Sequence, residues 1–108
     1  MATTSTQTHH QVRNMAVGRY LDTGTAAAIT ITCGFKPRYV KVQNLAATGS
    51  TSEWYEGMAD ASAVKRVTAG DMTVPTTLGI TVAEDGFVIG LDTDLNVTSE
   101  QLSWMAMG

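Results

Sequence analysis

The chain has 108 residues, a formal net charge of −3 and only 16 % charged side chains. One domain of this length buries a modest core. Its seven scattered Lys and Arg residues cannot form the clustered basic surface that displaces counterions from nucleic acid. Hydrophobic residues make up 44 %, but many are alanines, which bury little apolar area. A thin core is expected, completed by partner chains. No apolar run approaches the roughly 18 residues of a membrane span, and the first residues lack the apolar stretch of a signal peptide. The single cysteine, Cys33, rules out an intrachain disulfide and points to folding in a reducing cytoplasm.

Residues 1–11 read MATTSTQTHHQ and offer almost nothing to bury, which predicts an extended polar arm. Residues 12–108 read as a single β domain. Val12 to Leu21 is a first strand, with Met15, Val17 and Arg19 on one parity and Ala16, Gly18 and Tyr20 on the other. After a turn at Asp22-Thr23-Gly24, Ala28 to Cys33 alternates: Ile29, Ile31 and Cys33 face in, Thr30 and Thr32 out. Arg38 to Asn44 repeats the pattern with Val40 and Val42 inward, and Ser52 to Tyr55 carries Trp54 and Tyr55.

Residues 57–70 support two readings. Asp60 could cap a helical turn, or Val64 to Thr68 could be an edge strand blunted by Lys65 and Arg66. Leu78, Ile80 and Val82 then alternate, Asp85-Gly86 signals a hairpin, and Phe87 to Leu91 answers. Asp92 to Asn96 is a turn. Gln101 to Met107 is the last strand, with Leu102, Trp104 and Ala106 on one face, and it should pair inside a sheet. Seven or eight short strands predict an all-β fold, an antiparallel β-sandwich or jelly-roll-like barrel.

The chemical motifs are weak. His9 and His10 are adjacent, so an extended chain points them to opposite sides, and no Cys or carboxylate cluster joins them as a metal site. Cys33 shares a face with Ile29 and Ile31 and reads as a buried structural residue. Asp92, Asp94 and Asn96 match the start of a Ca²⁺ loop, but Val97 stands where a glycine is needed and Ser103 where a glutamate is needed. A turn capped by its own Asp and Asn fits better. Glu53 and Glu56 flank Trp54 and Tyr55, which raises a sugar-cleaving pair, but on a strand they fall on opposite faces and read as a solvated edge. The sequon Asn96-Val97-Thr98 has no meaning in a reducing cytoplasm. An enzyme needs a converging nucleophile and base, and residues 12–108 contain no histidine. No catalytic residue, metal or cofactor is expected.

One stretch goes beyond β patterning. Gly34-Phe35-Lys36-Pro37-Arg38-Tyr39-Val40-Lys41-Val42-Gln43-Asn44 resembles a motif of small bacteriophage virion proteins, followed by Gly79-Ile80, Gly86 to Gly90, Asp92 to Asn96 and the aromatic strand Leu102 to Ala106. The motif reads as a folding signature. Gly34 allows a turn, Phe35 plugs the core, Pro37 aims the chain, Val40 and Val42 pack inward, and Asn44 closes the next turn.

The resemblance, over roughly residues 17–108, implies a virion structural protein made in the host cytoplasm. The leading expectation is a capsid decoration (cement) protein that binds the major capsid protein as a homo-oligomer, a trimer in the form such proteins suggest. The alternative is a tail, tail-fibre or tail-tip component with an adhesion role. The residues expected at the capsid are Thr3, Thr4, Thr6, Thr8, His9, His10 and Val12 of the arm. Those expected in subunit packing are Trp54, Tyr55, Met58 and the C-terminal strand, with Trp104 on it. Neither nucleic acid nor membrane is expected as a partner.

Overall fold

The computed structural model describes residues 14–21, 27–46, 49–67 and 70–108. The proposed arm and Val12 lie outside them. Among the described residues there are nine strands: β1 Met15–Leu21, β2 Ile29–Thr32, β3 Tyr39–Asn44, β4 Thr51–Tyr55, β5 Val64–Arg66, β6 Met72–Thr73, β7 Ile80–Ala83, β8 Gly86–Ile89 and β9 Gln101–Met107. They form a six-stranded sheet in the order β1-β9-β3-β4-β5-β6 and a three-stranded sheet in the order β2-β8-β7. All pairings are antiparallel. The fold is an all-β sandwich whose sheets do not close into a barrel.

Alternation decides which face is buried. Val40 and Val42 of β3, Trp54 of β4, and Leu102 and Ala106 of β9 turn toward Ile29, Ile80, Phe87 and Ile89 of the small sheet. Each fully buried Ile, Leu or Phe contributes roughly 1.5–3 kcal/mol. Phe87 meets Trp104 edge-on, with ring centroids 5.5 Å apart and planes at 73°, a favoured aromatic geometry. The chain's last strand, β9, lies inside the large sheet between β1 and β3, as its sequence position suggested.

The motif around Gly34 folds as its residues predict. Gly34 has φ +90°, Phe35 packs against the core and Pro37 is buried. The Asn44 side chain accepts from Ala46 N at 2.7 Å and donates to the Leu95 carbonyl at 2.9 Å. It thus closes its own turn and ties that turn to the 92–96 loop.

Three local expectations are corrected. First, Asp60 caps no helix. The Ala59 carbonyl accepts from the Trp54 indole at 3.3 Å and the Ser62 hydroxyl at 2.6 Å, and Ala61 adopts φ +63°. These bonds set a tight turn. Second, β5 is no edge, because β6 pairs beyond it. Third, Leu78 is not in β7. It is exposed with φ +60°, because Gly79 N and Ile80 N donate to the Ala61 and Ser62 carbonyls at 2.9 and 3.1 Å and turn the chain there. That Ser62–Ile80 bridge stitches the two sheets at one corner.

The β7–β8 hairpin forms, but Glu84-Asp85 is its turn and Gly86 is already in β8, paired with Ala83 and Thr32. The Asp85 carbonyl accepts from both Cys33 N and Gly34 N at 2.9 Å, drawing the end of β2 close. A Cβ on Gly86 would fall onto the Ile31 carbonyl oxygen. Gly86→Ala should therefore cost about 2 kcal/mol, the scale of overpacking against a fixed neighbour. Urea denaturation should show a lower midpoint with the slope unchanged.

Candidate functional site

The large sheet has one face against the core and one against no described residue. Residues opposite one another on antiparallel strands point the same way, so the register writes this outer face as rows. Met15, Met107, Tyr39 and Tyr55 stand side by side across β1, β9, β3 and β4. Val17, Met105, Lys41, Glu53 and Val64 form the next row. Arg19, Ser103, Gln43, Thr51 and Arg66 form the third. The first two rows are largely apolar, and Met15, Val17 and Tyr55 are 64, 68 and 47 % exposed.

At the β3–β4 end, two tyrosines share one carboxylate. Tyr39 and Tyr55 donate their hydroxyls to Glu53 Oε2 at 2.7 and 3.0 Å, and their rings lie 5.2 Å apart, tilted by 57°. The Tyr39 bond holds the Glu53 carboxyl below the usual range, against the burial that pushes it up, with Tyr55 adding to the lowering. Burial and then the bond to Glu53 push the Tyr39 phenol up; the same carboxylate raises Tyr55. Glu53 is therefore no solvated edge residue. It sits mid-sheet and fixes both rings. Glu56 lies in the following turn and receives Arg38 Nε and Nη2 at 3.2 Å each. That pair is exposed and contributes little stability, but it walls a shallow groove of 360 Å³ lined also by Tyr39, Tyr55, Met107 and Gly108.

The expected packing residues divide. Trp54 is 6 % exposed and belongs to the chain's own core. Met58 packs against that core, and its sulfur accepts from Tyr55 N at 3.3 Å. Trp104 is half-buried beneath β1, where a Cβ on Gly18 would lie 2.5 Å from its indole. Only Tyr55 reaches the open face. The sequence pointed to the C-terminal strand but to Trp104 on it rather than to Met105 and Met107, and Met15 and Val17 on that face were missed. The available signal was that β1 and β9 are apolar on both parities, where a strand facing water on one side is apolar on one.

Away from this face, Lys65 donates to Asp92 Oδ1 at 2.9 Å and to Asp94 Oδ2 at 2.7 Å. Burial pulls the ammonium's pKa down, but the bonds to Asp94 and Asp92 outweigh it and raise the net value. Asp92 also accepts from Asp94 N at 2.9 Å, the self-capped turn that the sequence suggested. Lys65 thus pins the 92–96 loop under β5. Cys33 is half-buried rather than buried, packs against the core and donates to the Phe35 carbonyl at 3.4 Å. Among the described residues no group of three or more His, Cys, Asp or Glu is placed to hold a metal ion.

Comparison with known proteins finds no matching family model, no matching curated protein and no matching solved structure.

Glu53 gives this face a pH signature. Its folded pKa is lowered, so its contribution is full above the unfolded carboxyl value of 4.5 and is lost as pH falls through the folded value. Glu53→Gln should cost about 1 kcal/mol near neutral pH. The gap to wild type should close in acid, as followed by urea midpoints across a pH series.

Proposed function

We propose that the chain is a non-catalytic structural subunit of a bacteriophage particle, a capsid decoration (cement) protein that works as a homo-oligomer on the head shell. The observation that carries this is the outer face of the large sheet. A sheet face left to water is ordinarily polar, whereas here Met15, Val17, Tyr39, Tyr55, Met105 and Met107 share it. Met and aromatic residues are the types enriched at protein interfaces, and charges are depleted from interface centres. Lys41 and Glu53 are the only charges in the first two rows. The particle itself is suggested by the resemblance of residues 34–44 and the C-terminal strands to small virion proteins.

The proposed action is mechanical. A protein that touches two shell subunits at once must be released before they separate, so its binding free energy adds to the stability of the assembled state alone. The arm residues Thr3, Thr4, Thr6, Thr8, His9, His10 and Val12 are proposed to reach the capsid, while the sheet face supplies apolar contact area.

Co-sedimentation with expanded shells tests this. The full chain should pellet with shells near capsid abundance. A deletion of residues 2–11, which removes none of the described residues, should fold and remain in the supernatant. Tyr55→Asp should weaken binding at least about tenfold, since about 1.4 kcal/mol suffices for that. A band near 11.5 kDa present in only a handful of copies per virion would move the protein to the tail. Undiminished binding by the truncation would remove the arm from the account.

A further inference from the structure

The four sheet edges are unequal. β6 has two residues, and β2 and β7 have four each, with β7 also stitched to Ser62. β1 has seven, pairs with β9 without a bulge, contains no proline and carries one charge, Arg19. Long apolar edge strands that lack these protective devices recruit other strands. Among the described residues nothing pairs with the far side of β1.

Which backbone groups face outward follows from one bond. Gly108 N donates to the Asn14 carbonyl at 2.9 Å, so Asn14 and Gly108 are a hydrogen-bonded pair. Such pairs alternate along an antiparallel ladder. Ala16, Gly18 and Tyr20 therefore bond to β9, and Met15, Val17, Arg19 and Leu21 turn their N–H and C=O groups to the open edge.

We infer that β1 is a self-association strand: its open edge pairs antiparallel with β1 of a second copy about a two-fold axis at Gly18, fusing two six-stranded sheets into one. Three facts fix this occupant and register. Centring on Gly18 sets Met15 against the second copy's Leu21 and Val17 against its Arg19, so every outward N–H and C=O finds a partner. It opposes Met15 to Leu21, apolar to apolar, and sets no like charges directly face to face, whereas centring on Arg19 would oppose two guanidinium groups. Gly18, at the axis, brings no side chain, and its inner face is already covered by Trp104. Identical antiparallel strands require a two-fold axis, so the trimer suggested by the resemblance would have to use another surface. The inference rests on the homo-oligomer part of the proposed function, not on the particle, and it is tested without shells.

Sedimentation equilibrium of the purified full chain should give a dimer, twice the 11.5 kDa chain mass. Val17→Lys places a like charge opposite Arg19 and should weaken the dimer roughly five- to tenfold; Val17→Glu places an opposite charge there and should preserve it. Val17→Pro removes an outward N–H that no bond among the described residues uses, and should give a folded monomer with an unchanged far-ultraviolet circular dichroism spectrum. A monomeric or trimeric full chain, equal effects of Lys and Glu, or a dimer that survives the folded proline variant would each overturn the inference.

Discussion

Val40, Val42, Leu102 and Ala106 turn one side of the central β3–β9 pair toward Ile80, Phe87 and Ile89, and none of these side chains is more than 1 % exposed. Everything else in the molecule is arranged around that contact. Truncating one large side chain of such a core to alanine costs about 2–5 kcal/mol. A domain's whole stability is only about 5–15 kcal/mol. With so few large residues in the core, each carries a sizeable share. Devices outside the core add to it: the Ser62–Ile80 bridge at one corner, Asn44 joining two loops, and Lys65 holding the 92–96 turn.

The same contact produces the surface that gives the protein its proposed role. A six-stranded sheet covered by a three-stranded one has more face than the core can use. Strand alternation sends the even residues of β9, Leu102, Trp104 and Ala106, inward, and the odd ones, Gln101, Ser103, Met105 and Met107, outward. Of these, Met105 and Met107 are apolar too, as are Met15 and Val17 beside them. The Tyr39–Glu53–Tyr55 cluster gives this face a rigid end, because one carboxylate fixes two rings. Burial on one side and stickiness on the other are thus two consequences of one pleat.

Much of this was legible in the sequence. Ile29 and Ile31, Val40 and Val42, Phe87 and Ile89, and Leu102 and Ala106 lie at strict period two, and period two on a pleated strand fixes a face without tertiary information. What could not be read locally was set by distant partners. Lys65 and Arg66 looked like edge charges, yet Lys65 meets Asp92 and Asp94 across the fold. Leu78 continued an alternating pattern, yet the Ala61 and Ser62 carbonyls bend the chain at it. Asp85-Gly86 looked like a turn pair, whereas that glycine answers the close approach of the Ile31 backbone. Trp54 looked like an interface aromatic because nothing in its neighbours shows that the Ala59 carbonyl will accept its indole N–H. The open face was hinted at only by apolar residues on both parities of β1 and β9.

Amide hydrogen exchange at single-residue resolution tests the arrangement most directly. If β3 and β9 are the centre of the large sheet and its inner face is the core, the amides of residues 40–43 and 102–106 should exchange only through global unfolding, and those of the two-residue β6 should exchange far faster. A C-terminal segment 101–107 that exchanges as fast as the surrounding loops would place that strand at a frayed margin and contradict the sandwich on which the whole account stands.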